Sequence, residues 1–481
     1  METGYSIFQS DNLLVECFRE SMPLIIACTL LYLYYKGRIN VIDTMLYAIA
    51  TEAYTMVVIG PTFNATFFIS IFFMVEQIHQ LLTGRQFIRK EYFILLILPL
   101  LSQVTVMLVT QLYKNPFYYP GNNLTAFYLR PLYFYFKTYI PLFAVGAKIV
   151  QDREDLSFEL FAASVMRIAC ISCCIACFQL LVVFVFHDQT LGEILGLQHR
   201  YMIREINGLL GVRVQAFFSE PKILSAFLSL SVPLFFNARR FIWASVAIIM
   251  GVLTSSQTFW INILAAALLF PVFARLHSVR LKILCTLASL VGLFLLVAAS
   301  RNQLLEHFAA NRDNEIYAKF FERSIDRYDN EYWQKDNVIL GIPLQRDLEL
   351  PVVDFLKDEP YLLLSGYGAG NSTFIPSAYF FGQQNYANHV AGIGGHNLNM
   401  RWFFILAEFG AISLVFFFLI LTRTDEQLSA FNKDYLAYVA ICFFFSQIDL
   451  FLVIIALLSA YGVTDNKYIY GKDVRHTGRL A

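Results

Sequence analysis

The sequence predicts an all-α polytopic membrane protein with about 12 or 13 transmembrane helices and a large, mostly helical outer loop ahead of the last ones. Three observations predict it. The chain of 481 residues is 57% hydrophobic and only 15% charged, too apolar for one soluble core of that length. Apolar runs that reach or approach the roughly 20 residues of a spanning helix recur throughout. Cations gather in alternate connections between those runs, as short cytoplasmic loops require.

In chain order, the N-terminus carries no basic region before its first apolar run, and its first cation is Arg19. No cleavable signal peptide is expected, so the first helices direct insertion themselves. The runs are Met22–Tyr35, Val41–Gly60, Thr62–Leu82, Tyr92–Tyr113, Leu124–Val150, Phe158–Phe186, Ile223–Phe236, Phe241–Thr254, Thr258–Ala274, Ile283–Ala299 and Trp402–Leu421. A final apolar stretch, Tyr435–Tyr461, is either one long helix or two short ones broken at Gln447–Asp449. Lys467, Lys472, Arg475 and Arg479 favour a cytoplasmic tail and therefore the broken pair. Residues 1–300 thus hold the first ten helices with an outer loop at 187–222. A large outer loop fills 301–400, the last helices fill 401–463 and a tail fills 464–481. Lys36 and Arg38, Arg85 to Lys90, Lys148 and Arg153, Arg239 and Arg240, Arg275 to Lys282, and Arg423 with Lys433 share the cytoplasmic side, which puts 301–400 on the other face. No internal repeat is evident, which argues against a transporter built from duplicated halves.

Lys+Arg and Asp+Glu number 36 each, and no basic run stands out, so nothing points to a nucleic-acid partner. All eight cysteines lie in or beside apolar segments, so the outer loop has no disulfide framework. Cys170, Cys173, Cys174 and Cys177 follow helical spacing without a histidine or carboxylate beside them and read as packing rather than metal ligands.

Glu52, Glu76, Arg130, Lys137, Arg167 and Glu408 fall inside apolar runs, where a central charge costs roughly 2.5–3.5 kcal/mol unless it is paired or faces water. Arg130 and Lys137 are seven apart and share one helical face. That face either attracts a lipid-linked pyrophosphate, or forms ion pairs with Glu52 or Glu76, or snorkels to headgroups. Glu408, seven residues after Arg401, reads as a partner for a cation that orients its helix, ahead of a catalytic role.

Two outer segments bear candidate chemistry. In GVRVQAFFSEP, Gly211 to Pro221, the guanidinium of Arg213 can grip a phosphate through two hydrogen bonds at a membrane entry point. Ser219 reads as a helix N-cap with Pro221 in the first turn, and Glu220 and Lys222 read as capping and interfacial groups before any substrate role. In the second segment His396 follows GIGG and precedes Asn397. Glycines allow close backbone approach, and a neutral imidazole can accept a proton from a hydroxyl. His389 shows that a histidine in this loop is not distinctive by itself.

The run LLLSGYGAGNSTF, Leu362 to Phe374, and then GGHNLNMRWFFILAEFGAISLVFFFLIL, Gly394 to Leu421, resemble the end of the O-antigen polymerase and O-antigen ligase superfamily (Wzy and WaaL). The matching residues are Gly366, Gly368, His396, Asn397, Glu408 and Gly410; RVQAFFSEP, from Arg213, looks like the polymerase branch's Arg…Phe-x-Glu-Pro segment. The resemblance implies a GT-C-like, metal-independent glycosyltransferase of the bacterial cell inner membrane. It needs no cofactor and acts on undecaprenyl-diphosphate-linked oligosaccharides, donor and acceptor, among membrane lipids at the periplasmic face. A chain-length regulator is a candidate protein partner. By the same resemblance His396 is the general base and Arg213 binds the diphosphate. Arg401 is added because it stays at the headgroup level five residues on, and Tyr367 and Trp402 are added as rings able to stack on sugars. SSQTFW, Ser255 to Trp260, departs from the Ser-Arg-Thr-x-Trp of many members, since Gln257 supplies no charge. The Glu-Pro segment favours a polymerase over a ligase that uses lipid A-core as acceptor. A lipid-linked oligosaccharide flippase is the rival of another class, and it should lack a large ordered outer domain.

Overall fold

A computed structural model describes residues 13–57, 62–83, 124–152, 157–197, 212–300, 355–371, 401–422, 428–446 and 448–461, with isolated positions between 303 and 343. The architecture is all-α. Its helices are α1 (Leu13–Tyr35), α2 (Val41–Ile49), α3 (Ala65–Leu82), α4 (Leu124–Phe134), α5 (Ile140–Gln151), α6 (Phe158–Leu181), α7 (Gln189–Ile194), α8 (Pro221–Asn237), α9 (Phe241–Leu253), α10 (Gln257–Ala267), α11 (Val279–Ala299), α12 (Leu362–Ser365), α13 (Arg401–Leu421), α14 (Ala430–Phe445) and α15 (Leu450–Tyr461). Wider π-helical turns join α4 to α5 at Tyr135–Tyr139 and extend α6 at Val182–Phe186 and α10 at Leu268–Val272. Two small antiparallel pairs, Met56–Val57 with Thr62–Phe63 and Val338–Ile339 with Ile342–Pro343, are the strands among the described residues.

Among these residues, Phe158–Phe186 and Arg401–Leu419 are long and apolar enough to cross a membrane, while Pro221–Asn237, Phe241–Leu253, Gln257–Val272 and Leu450–Ala460 are apolar but shorter. Starts follow local chemistry. Asn40 caps α2 by accepting from the Asp43 N–H, Ser157 caps α6 from Leu160, and Ser429 caps α14 from Asn432. The final apolar stretch is two helices, broken at 446–449 as one of the two expected alternatives had it. The run expected over Val41–Gly60 is corrected. Helix α2 stops at Ile49, because the Ala53 N–H leaves the helical ladder for the Phe217 carbonyl at 2.7 Å. Tyr92–Tyr113 lies outside the described residues.

The core centres on α8, α14 and α15, which are buried on nearly every side, as helices apolar all round should be. Pro233 inside α8 has no N–H to give Ser229, and the Tyr438 hydroxyl of α14 fills the gap, donating to the Ser229 carbonyl at 3.1 Å. Tyr435 donates to the neighbouring Leu230 carbonyl. Around this core the outer faces carry large exposed apolar side chains, among them Ile242, Val185, Phe186 and Leu296, while several charges point inward. Lys148 meets Glu76 at 2.6 Å, and Lys282 pairs with Asp434. The Glu76 carboxylate is thus engaged by Lys148 and by the Tyr35 hydroxyl at 2.9 Å.

Candidate functional site

The glycine turn and the late helix, distant in sequence, form one unit. Helix α13 is interrupted at Gly410, whose φ of 80° is open to glycine at little cost. The break leaves carbonyls without helical donors, and the turn supplies them: Tyr367 N–H donates to Ala407 at 2.8 Å and Gly368 N–H to Glu408 at 2.9 Å. The Glu408 carboxylate then accepts from the Gly370 N–H at 2.7 Å. A Cβ at Gly366 would fall 2.4 Å from the Glu408 carbonyl, and one at Gly410 would fall 2.2 Å from the Leu364 carbonyl oxygen. Backbone meets backbone here, with no room for a side chain. Glu408 does orient its helix, but through a backbone amide of the turn as well as through the nearby charge of Arg401.

Arg213 sits in a buried segment, 212–218, held from several directions. The side-chain amide of Gln179 in α6 both accepts from the Ala216 N–H (2.9 Å) and donates to the Ala216 carbonyl (2.8 Å), fixing Ala216 at a left-handed φ of 49°. Gln215 donates to the Gly196 carbonyl. With the segment pinned, Arg213 is 7% exposed and its Nε donates to the Thr254 carbonyl at 2.9 Å, at the C-terminal end of α9.

Between these two units lie two carboxyl groups. Glu52, in the connection after α2, accepts from the Ser219 hydroxyl at 3.2 Å and lies within electrostatic reach of Asp449, in the break before α15. Asp449 caps α15, accepting from the Phe451 N–H at 2.6 Å; burial pushes its carboxyl up from the usual range, opposed by this bond and by the charge of Arg401. Burial first, and then the Asp449 charge, push Glu52 up to about 8. Both residues keep part of their surface accessible.

Arg401 opens α13, donates to the Ile448 carbonyl at 3.3 Å and lies over the rings of Phe404 and Phe443. Its Nε is out of reach of solvent and has no hydrogen-bond partner among the described residues. Glu408 thus ties the glycine turn to α13 with Arg401 in its electrostatic reach, while Glu52 through Ser219 and Ala53 through Phe217 tie the connection after α2 to the Arg213 segment.

The other expected residues are distributed differently. Ser219 spends its hydroxyl on Glu52, and Glu220 is the cap residue before Pro221, with its carboxylate 3.1 Å from Lys222. Tyr367 is 1% exposed with its ring edge-on to Phe355, which corrects it from sugar-stacking to packing. Arg130 lies in α4 and Lys137 inside the π-helical turn that follows it, where Lys137 lies over the rings of Phe63 and Tyr133. His396 and Asn397 lie outside the described residues. Gln179 and Asp449 escaped the sequence; Asp449, directly before an apolar run, carried a legible capping signal.

No family model, no curated protein and no solved structure matches this chain.

Proposed function

We propose that this chain is a multi-pass protein of a bacterial inner membrane that joins undecaprenyl-diphosphate-linked oligosaccharide repeat units at the periplasmic face, as an O-antigen polymerase. The observation that supports this most is the interlock of the Gly366–Asn371 turn with the break at Gly410. The motif halves that resemble the superfamily's end have a physical reason to occur together. The inside-out surface, apolar outside with charges inward, favours a lipid environment. A helix interrupted within an apolar span suits a site, since irregular backbone at membrane depth belongs where protein or water satisfies it.

In this reading one glycan sits on a lipid diphosphate, and a hydroxyl of a second lipid-linked unit attacks its anomeric carbon. Arg213 and Arg401 hold the departing diphosphate, and Arg130 and Lys137 draw lipid-linked substrate toward the site. His396 is the residue the sequence offers for the hydroxyl proton, with Asn397 beside it. No metal or cofactor takes part in this scheme.

The test is incubation of the purified protein with synthetic lipid-linked repeat units in EDTA. A product ladder is expected. Its absence, with glycan appearing instead on added lipid A-core, would make the chain a ligase; absence of either product would remove glycosyl transfer from consideration. The His396→Ala variant is expected to lose the ladder, and an unchanged ladder would discard the role of that histidine.

A further inference from the structure

The turn that joins α8 to α9 combines three features for which glycosyl transfer has no use. The first is its backbone. Helix α8 ends in a Schellman turn, with the Arg239 N–H donating to the Phe236 carbonyl at 3.1 Å and the Arg240 N–H to the Phe235 carbonyl at 2.8 Å. That turn puts Arg239 at a left-handed φ of 56°, a conformation glycine adopts at less cost. An arginine kept there points to a use for its side chain.

The second feature is charge. Arg239 and Arg240 are both exposed, and among the described residues neither side chain has a hydrogen bond or an ion pair. The dipole at the end of α8 favours cations, which accounts for their sign but not for the strained backbone of Arg239. The third feature is the apolar bed beside them. The rings of Phe236 and Phe241 flank the two arginines with centroids 6.0 Å apart, and both are exposed. From there Ile242, Ser245 and Ile249 follow at helical spacing up one exposed face of α9, Ile242 being 80% exposed. This lane is roughly 10 Å long, with a small residue at its middle.

We propose that the α8–α9 turn binds an anionic glycerophospholipid of the surrounding bilayer, with its headgroup phosphate on Arg239 and Arg240 and an acyl chain along Ile242, Ser245 and Ile249. This rests on the membrane placement proposed above and not on glycosyl transfer. Guanidinium groups grip phosphate oxygens through paired hydrogen bonds. A soluble anion or an acidic peptide would match the arginines but leave the apolar lane bare, whereas a lipid carries both parts in this order. Aromatic rings beside cations are also what a membrane protein presents at the headgroup level. The pair selects a headgroup of net negative charge, because a zwitterionic lipid brings a cation of its own that two arginines repel.

Native mass spectrometry of the whole protein, released from detergent after mixing with equal amounts of phosphatidylglycerol and phosphatidylcholine of matched chains, tests this. The wild type is expected to retain phosphatidylglycerol in preference. Arg239→Gly and Arg240→Gln should each reduce that preference about fivefold, the contribution of one cation at an anionic lipid surface. Arg239→Gly is the informative variant, because glycine relieves the left-handed position and the protein should melt no lower than the wild type. Arg280→Gln, which removes an exposed cation at the start of α11, should leave the preference unchanged. Equal retention of the two lipids by the wild type, or an equal loss in Arg280→Gln, overturns the proposal while the function stands. An undiminished preference in both Arg239→Gly and Arg240→Gln overturns it as well. A protein that stays in solution without detergent removes the membrane placement and the lipid site together. A wild type that prefers phosphatidylglycerol but forms no ladder removes glycosyl transfer and leaves the lipid site in place.

Discussion

The Glu408 carboxylate of α13 accepts from the backbone N–H of Gly370 at 2.7 Å, and both groups are buried. That bond joins a side chain in a helix to the main chain of a turn far away in sequence. Removing its acceptor leaves a buried donor unsatisfied. Glu408→Ala should lower stability by about 1.5–3 kcal/mol, and Glu408→Gln, which keeps an acceptor oxygen, by less. Thermal unfolding of the purified protein in detergent checks the order.

The glycines near this contact are not equivalent, and their order can be tested. Gly410→Ala and Gly366→Ala place a methyl group against backbone at 2.2 Å and 2.4 Å with φ near +80° and +74°, so both should fail to yield folded protein. Gly146 in α5 has side-chain neighbours no nearer than 3.7 Å. Gly146→Ala should fold and gain roughly 0.5–1 kcal/mol from helix propensity. Detergent-solubilised yield and melting temperature measure all three.

Tyr438 and Pro233 should be coupled. Tyr438→Phe takes away the donor to the Ser229 carbonyl and should cost about 1–3 kcal/mol. In a Pro233→Ala background the restored N–H at 233 supplies that carbonyl, so the same change should cost roughly 1 kcal/mol less. A double-mutant cycle by chemical or thermal unfolding reads the difference.

The raised Glu52 gives stability a pH dependence of definite sign. A carboxyl protonated when folded and ionised when unfolded binds more protons in the folded state. Its contribution is therefore whole below the ordinary value of 4.5 and is lost progressively as pH rises toward about 8. The melting temperature of the wild type should fall across that window, and Glu52→Gln should flatten this part of the curve. A wild-type curve parallel to that of Glu52→Gln would refute the raised Glu52.

The helices were legible because long apolar runs and capping residues such as Asn40, Ser157 and Ser429 are local signals. Their interruptions were not, because each depends on a partner supplied from elsewhere. Helix α2 ends where Phe217 claims the Ala53 N–H, and α13 breaks where the glycine turn supplies donors to Ala407 and Glu408. Arg213 and Arg401 stood out as charges near apolar runs. Glu52 was noticed as a costly charge, but nothing local connects it to Ser219. Tyr367 looked available because its neighbours are glycines, yet its ring is enclosed by Phe355.

The cut in α13 also divides the labour of that helix. Its first half, Arg401 to Phe409, is strapped sideways to the glycine turn, while Ile412 to Leu421 continues as an ordinary apolar rod. The turn is therefore anchored by residues before the break alone, through Ala407 and Glu408. In the membrane protein proposed above, side chains of the second half can therefore change to suit the surrounding lipid without touching the backbone bonds that hold the first.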